Sequence, residues 1–63
     1  MVGEPERGTS LCEEGVSLAR RLGDDWLVAM TLNNLGNVAF AQGDHRYAKR
    51  LWEESLELRR PLG

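Results

Sequence analysis

Small and apolar residues recur at intervals of three and four along three segments of the chain. They are Gly8, Leu11, Cys12, Gly15, Leu18, Ala19 and Leu22 in the first segment, Val28, Ala29, Leu32, Leu35, Gly36, Ala39 and Phe40 in the second, and Ala48, Leu51, Trp52, Ser55, Leu58 and Leu62 in the third. This spacing matches the period of an amphipathic helix, and no segment alternates for long enough to indicate a strand. The pattern predicts an all-α chain with helices near residues 5–21, 25–41 and 45–60.

Glycine and aspartate mark the boundaries between these helices. Gly23 and Gly43 are each followed by an aspartate. Glycine accepts the left-handed conformation that ends a helix, and an aspartate carboxylate caps the amide groups that open the next one. Pro5 suits the first turn of the first helix, because its missing N–H would be unpaired there. Connections this short predict antiparallel neighbours, so we expect two helical hairpins that share the middle helix.

The chain also contains an internal repeat. A shift of 40 residues places residues 3–23 over residues 43–63. The identical pairs are Gly3/Gly43, Leu11/Leu51, Glu13/Glu53, Glu14/Glu54, Leu18/Leu58, Arg20/Arg60, Leu22/Leu62 and Gly23/Gly63. The first and third helices are therefore two copies of one element, and a period of this length with helical patterning predicts an α-solenoid.

The stretch AMTLNNLGNVAFAQGD that begins at Ala29 resembles a tetratricopeptide repeat. The residues that carry the resemblance are Leu32, Leu35, Gly36, Gly43, Asp44, Ala48 and Trp52, at the relative spacings of that family. The resemblance implies that residues 24–63 form one full repeat and that residues 3–23 form the second helix of a preceding one. The 40-residue period and the arginine-rich helix ends are similar to the repeats of large bacterial ATPase-linked transcriptional regulators of the maltose-regulator type.

Packing between the second and third helices is predicted at a glycine. Gly36 costs about 1 kcal/mol relative to alanine inside a helix, so we expect a close helix approach there, with Ala48 as the small residue opposite. The alternative is that Gly36 is merely tolerated. The predicted helix-packing residues are Leu32, Leu35, Gly36, Ala48 and Trp52. Phe40 is first interpreted as core as well, and Trp26 as either covering the end of the first helix or lying partly exposed.

The middle helix is also the predicted binding surface. No charged residue occurs between Trp26 and Gln42, whereas both flanking helices are rich in Glu and Arg. In the family that the chain resembles, first helices line a groove that holds peptides or protein segments. The residues implied as partner-binding are Met30, Asn33, Asn37, Phe40 and Ala41. The version of that groove that clamps a carboxy terminus uses Lys and Arg, which the middle helix lacks, so the sequence does not support carboxylate capture.

Composition and residue chemistry favour binding over catalysis. The 63 residues carry a net charge of −2, which gives nucleic acid no long-range attraction. Cys12 is the one cysteine and His45 the one histidine; we interpret them as core filler and as a solvated side chain. We therefore expect no enzyme activity, no metal and no cofactor. No window is apolar enough for a membrane span, and a lone cysteine suits a reducing cytoplasm.

One further surface feature has two alternative interpretations. Arg46, Lys49 and Arg50 share one helical face, which either meets an acidic partner or phosphate, or is ion-paired with Glu53 and Glu54 one turn on. The interpretation as an ion-paired, solvated face is favoured.

One and a half repeats are fewer than such arrays usually need, so we expect a fragment of a larger regulatory protein whose first helix lacks a covering neighbour. As an alternative function, this structural element self-associates into a homo-dimer or larger homo-oligomer through a face carrying Leu11, Val16 and Leu18.

Overall fold

A computed structural model describes the backbone of residues 3–60 and the side chains of residues 8–60. It contains three helices: α1 at Gly3–Leu22, α2 at Asp25–Ala41 and α3 at His45–Arg59. The all-α prediction is confirmed, and the predicted helix limits differ from the observed ones by at most two residues. Pro5 lies in the first turn of α1, as expected. Leu62 and Gly63, which complete the second copy of the repeat, lie outside the described residues.

The two turns have the predicted chemistry. Gly23 has φ 70° and Gly43 has φ 88°, which is the left-handed region that residues with a Cβ avoid. The carboxylate of Asp24 accepts a hydrogen bond from the amide of Leu27 at 3.1 Å, and Asp44 accepts one from the amide of Tyr47 at 3.3 Å. Each turn thus ends one helix and caps the next within two residues, which reverses the chain direction.

Helix α2 lies between the other two helices and packs against both. It contributes Val28, Ala29, Leu32, Leu35, Gly36 and Ala39 to the buried interior. Val16 and Ala19 reach this interior from α1, and Ala48 and Leu51 from α3. Two flanks of α2 are therefore covered by neighbouring helices, and its remaining side faces solvent.

Polar side chains join α1 to α3 across the edge of α2. Arg20 Nη2 donates to Glu54 Oε2 at 2.9 Å, and the hydroxyl of Tyr47 donates to Glu13 Oε2 at 3.0 Å. The predicted ion pairing along α3 is therefore wrong for Glu54, which reaches across to a neighbouring helix. Among residues 8–60, the exposed basic residues Arg46, Lys49 and Arg50 take part in no ion pair.

The three α1 residues that we grouped on one unpartnered face lie on two faces. Leu11 and Leu18 are 60% and 57% exposed, as predicted, but Val16 is only 8% exposed and packs in the core. Five residues of helix rotate a side chain by about 140°, so Val16 points toward α2 while Leu11 points away from it. Val16 therefore does not belong to the exposed face.

The residue that lies against Gly36 is Trp52. A Cβ built at Gly36 would lie 2.6 Å from Trp52 Cδ1, and the three nearest atoms all belong to the Trp52 indole. The prediction of a close approach between α2 and α3 at Gly36 is confirmed, and the nearest side chain there is Trp52, where Ala48 was expected. Ala48 is fully buried in the core cluster.

Candidate functional site

The exposed face of α2 gathers the residues that sequence analysis assigned to partner binding. At about 100° of rotation per residue, Met30, Asn33, Asn37 and Phe40 fall within about 80° of one another, and Ala41 lies about 20° beyond them. All five are exposed. We call these five residues the α2 stripe. The predicted packing residues Leu32 and Leu35 are buried on the opposite side of the helix, and Gly36 is buried on its flank, about 40° of rotation from Phe40.

The middle of the stripe offers two side-chain amides to solvent. Asn33 and Asn37 are one helical turn apart and exposed. Among residues 8–60, neither amide takes part in a side-chain hydrogen bond. An asparagine amide can both donate and accept, which is what the backbone of an extended peptide requires. This part of the stripe is therefore chemically suited to bind main-chain groups.

An aromatic cluster closes one end of the stripe. The Phe40 ring stacks on the His45 ring with their centroids 4.4 Å apart, and it lies 5.7 Å from the Trp52 ring. Phe40 remains 51% exposed, so its interpretation as a core residue is wrong. His45 is exposed, as predicted, yet it contacts a ring. The half-buried Trp52 donates from Nε1 to the carbonyl oxygen of Asn33 at 3.4 Å, which ties the cluster to α2.

A cleft of about 180 Å³ lies at the other end of the stripe. Its lining residues are Trp26, Ala29, Met30, Asn33, Asn34 and Arg59. Arg59 Cζ lies 5.7 Å from the centroid of the Trp26 ring, within the range of a cation–π contact. Trp26 is partly exposed, but the charge it contacts belongs to α3 and not to the end of α1.

Sequence reasoning missed Arg59 as part of this surface. The sequence showed only that the helix ends are rich in arginine, and Arg59 lies in the last turn of α3, where a cation complements the helix dipole. The signal that was available is the antiparallel order of α2 and α3, which sets the last turn of α3 beside the first turn of α2. Which residue of that turn faces Trp26 depends on how the two helices pack.

Within the described part of the chain, one titratable group, Tyr47, has a pKa that is clearly shifted from its ordinary value. Burial raises the pKa of Tyr47, and its hydrogen bond to the Glu13 carboxylate raises it further. Tyr47 belongs to α3, and its hydroxyl reaches the Glu13 carboxylate of α1. Cys12 is half-buried in α1 and packs against the core. Within residues 8–60, no three His, Cys, Asp or Glu side chains come together as metal ligands.

A family model described as a tetratricopeptide repeat matches residues 1–60 of this chain. No curated protein and no solved structure matches it. In the part of the chain that the structure describes, none of the helices is both long and apolar enough to cross a bilayer.

Proposed function

The chain belongs to the tetratricopeptide repeat family, and from that premise we propose that it binds a peptide or protein segment along the α2 stripe. Repeats of this family generally mediate protein–protein interactions and act as scaffolds. The proposal extends this general role to the particular residues Met30, Asn33, Asn37, Phe40 and Ala41. It assigns the chain no catalytic step and no cofactor.

The proposal is supported by the exposure of the stripe and by the chemistry of its side chains. Met30 and Phe40 present large apolar side chains to solvent, and the two amides between them have no partner among residues 8–60. Apolar surface contributes affinity when it is buried, and amides that bind main-chain groups hold a segment without selecting its side chains. A stripe of this composition suits an extended segment that places apolar side chains at both ends.

The experiment uses a random dodecapeptide library displayed on phage and selected on the 63-residue chain. Peptides that enrich are then titrated calorimetrically against the parent and against the Asn33→Ala/Asn37→Ala double variant. Because each lost hydrogen bond contributes about 0.5–1.5 kcal/mol, we expect affinity to fall about tenfold in the double variant. The matched control is Ser10→Ala/Ser17→Ala, which removes two exposed polar groups from α1 and is expected to bind like the parent.

Two outcomes would contradict the proposal. One is a selection in which no peptide enriches above background. The other is a double variant that loses no more affinity than the α1 control does, because binding would then show no particular dependence on the stripe. Helicity measured by circular dichroism checks that each variant folds.

A second candidate function is self-association through the outer face of α1. Leu11, Leu18 and Leu22 share one side of the helix and are each more than half exposed. The repeat equivalents of Leu11 and Leu18 in α3 behave differently, since Leu51 is buried in the core and Leu58 is partly buried against it. The repeat thus uses this face to pack on another helix, and in α1 a second copy of the chain would cover it.

Sedimentation measures the oligomeric state and so tests this second candidate function. We expect the parent to associate as its concentration rises, and the Leu11→Gln/Leu18→Gln variant to remain monomeric while it still binds the selected peptides. A monomer over the whole concentration range of the parent would count against self-association and leave the peptide-binding proposal unaffected.

We also propose where the repeats of the chain begin and end and in what type of protein they occur. Residues 3–23 are the second helix of one repeat and residues 24–63 are one full repeat, which agrees with the matching turns at Gly23-Asp24 and Gly43-Asp44. The 40-residue period supports a place in a larger cytoplasmic regulatory protein of the ATPase-linked transcriptional type, where the repeats take part in signalling. Genomic sequence on both sides of these residues tests this, because it should encode more repeats of the same period and an ATPase domain.

A further inference from the structure

The cleft at the Trp26 end of the stripe contains one charged residue, Arg59. We propose that this cleft binds the carboxylate of an Asp or Glu side chain in the bound peptide segment, and that Arg59 is its anchor. The inference rests on the proposed function and adds to it the chemistry of the segment. The residue that supplies the charge lies on α3 and not on the helix that carries the stripe.

The first step of the argument is that Arg59 has no carboxylate partner in the described part of the chain. Arg20 pairs with Glu54, and Arg60 pairs with Glu57 at 3.7 Å. The contact of Arg59 is the face of the Trp26 ring. A ring face supplies no carboxylate oxygen, so the guanidinium N–H donors remain available to an anion.

The second step is the composition of the cleft around that cation. Trp26 and Met30 supply apolar walls, which suit the methylene groups of an acidic side chain. Asn33 and Asn34 add exposed amide donors on the same rim. A guanidinium with neighbouring amides forms charge-assisted hydrogen bonds to a carboxylate, and these are about twice as strong as neutral ones.

The third step gives the spacing of the segment. Trp26 and Phe40 are 14 positions apart on α2, which corresponds to about 21 Å along the helix axis. An extended peptide advances about 3.3 Å per residue, so it covers this distance in about six residues. We therefore expect the acidic residue to lie about six positions from an apolar residue that contacts Phe40.

The test starts from the dodecapeptides that enrich on the parent chain. We expect them to carry Asp or Glu about six residues from an aliphatic or aromatic residue, more often than the unselected library does. One enriched peptide and its counterpart with the acid replaced by the matching amide are titrated against the parent and Arg59→Gln. The parent should prefer the acidic peptide by about tenfold, and Arg59→Gln should bind both peptides equally.

Arg21→Gln is the matched control, because Arg21 is an exposed arginine of α1 away from the stripe. It should keep the parent's preference. Enriched peptides without acidic residues, or an acidic preference that survives in Arg59→Gln, would overturn the anchor while leaving peptide binding intact. If no peptide enriches at all, the proposed function and the anchor are overturned together. Circular dichroism of Arg59→Gln confirms that any change in binding occurs in a folded chain.

Discussion

The indole of Trp52 lies directly against the backbone of α2 at Gly36. A Cβ at that position would lie 2.6 Å from Trp52 Cδ1 and 3.1 Å from Cε2, both tighter than real Cβ contacts allow without movement. The same ring donates from Nε1 to the carbonyl oxygen of Asn33. The indole therefore lies against α2 at a distance that accommodates the hydrogen atom of a glycine Cα but not a methyl group.

We predict that Gly36→Ala destabilises the chain. At an open position inside a helix this change would stabilise by about 1 kcal/mol, because alanine has the higher helix propensity. Here the added methyl group must displace a rigid indole ring, and overpacking of this kind costs about 1–3 kcal/mol. Urea denaturation followed by circular dichroism measures the difference in the free energy of unfolding.

The control for this prediction is Gly15→Ala. An added Cβ at Gly15 would meet Thr31 Cγ2 at 3.8 Å, which is an ordinary van der Waals distance. We therefore expect this variant to be more stable than the parent, by up to about 1 kcal/mol. If the Gly36 and Gly15 variants shifted stability in the same direction, the contact with Trp52 would not be what constrains Gly36.

Substitutions at Gly43 should separate backbone strain from packing. Gly43 has φ 88°, and no atom outside its chain neighbours lies within 4 Å of a Cβ built there. Gly43→Ala should then cost about 1–2 kcal/mol through the left-handed backbone alone. Gly43→Asn should cost less, because asparagine adopts this region more readily. Thermal melts that ranked the asparagine variant below the alanine variant would contradict this account.

Tyr47 should ionise above the ordinary tyrosine pKa of 10.0 in the folded chain. Burial is the main cause, and the hydrogen bond to Glu13 adds to it. Tyr47 is the chain's one tyrosine, so a spectrophotometric titration of the phenolate reports this residue alone. The midpoint should lie above 10.0 in buffer and return toward 10.0 in concentrated urea.

This shift makes stability depend on pH in a defined direction. The folded state favours the protonated phenol, so its stabilising contribution is complete below pH 10.0 and is lost as pH rises through the higher pKa of the folded chain. Tyr47→Phe should lack this loss. Glu13→Gln should lower the midpoint only in part, because the effect of burial remains; a full return to 10.0 would show that Glu13 dominates the shift.

The ion pair between Arg20 and Glu54 should contribute little to stability. Both side chains are about half exposed, although their N···O distance is 2.9 Å. Exposed pairs of this kind contribute about 0.2–1 kcal/mol and weaken as salt is added. A double-mutant cycle with Arg20→Ala and Glu54→Ala measures the coupling. A coupling well above 1 kcal/mol that persists in high salt would show that solvent screens the pair less than its exposure implies.

The local sequence was sufficient to predict the helices and their ends. The spacing of apolar residues depends on the helical period alone, and it placed the limits of α2 and most of its buried face correctly. Gly23 and Gly43 marked left-handed residues, and Asp24 and Asp44 marked caps, because each of these roles depends on the residue and its immediate neighbours. The family resemblance, and not the helical period, pointed to Asn33 and Asn37 as surface residues, and both are exposed.

The tertiary structure decided which side chains meet across helices. It placed Trp52 against Gly36 where Ala48 was expected, buried Val16 while Leu11 stayed exposed, and brought Arg59 to Trp26. The helical period determines which residues share a face of one helix. Which faces touch is determined by the axial position and rotation of one helix against another, and both of these quantities depend on how all three helices pack together. The residues of the α2 stripe could therefore be named from the sequence and its family resemblance, whereas the position of Arg59 beside them depends on how α3 packs against α2.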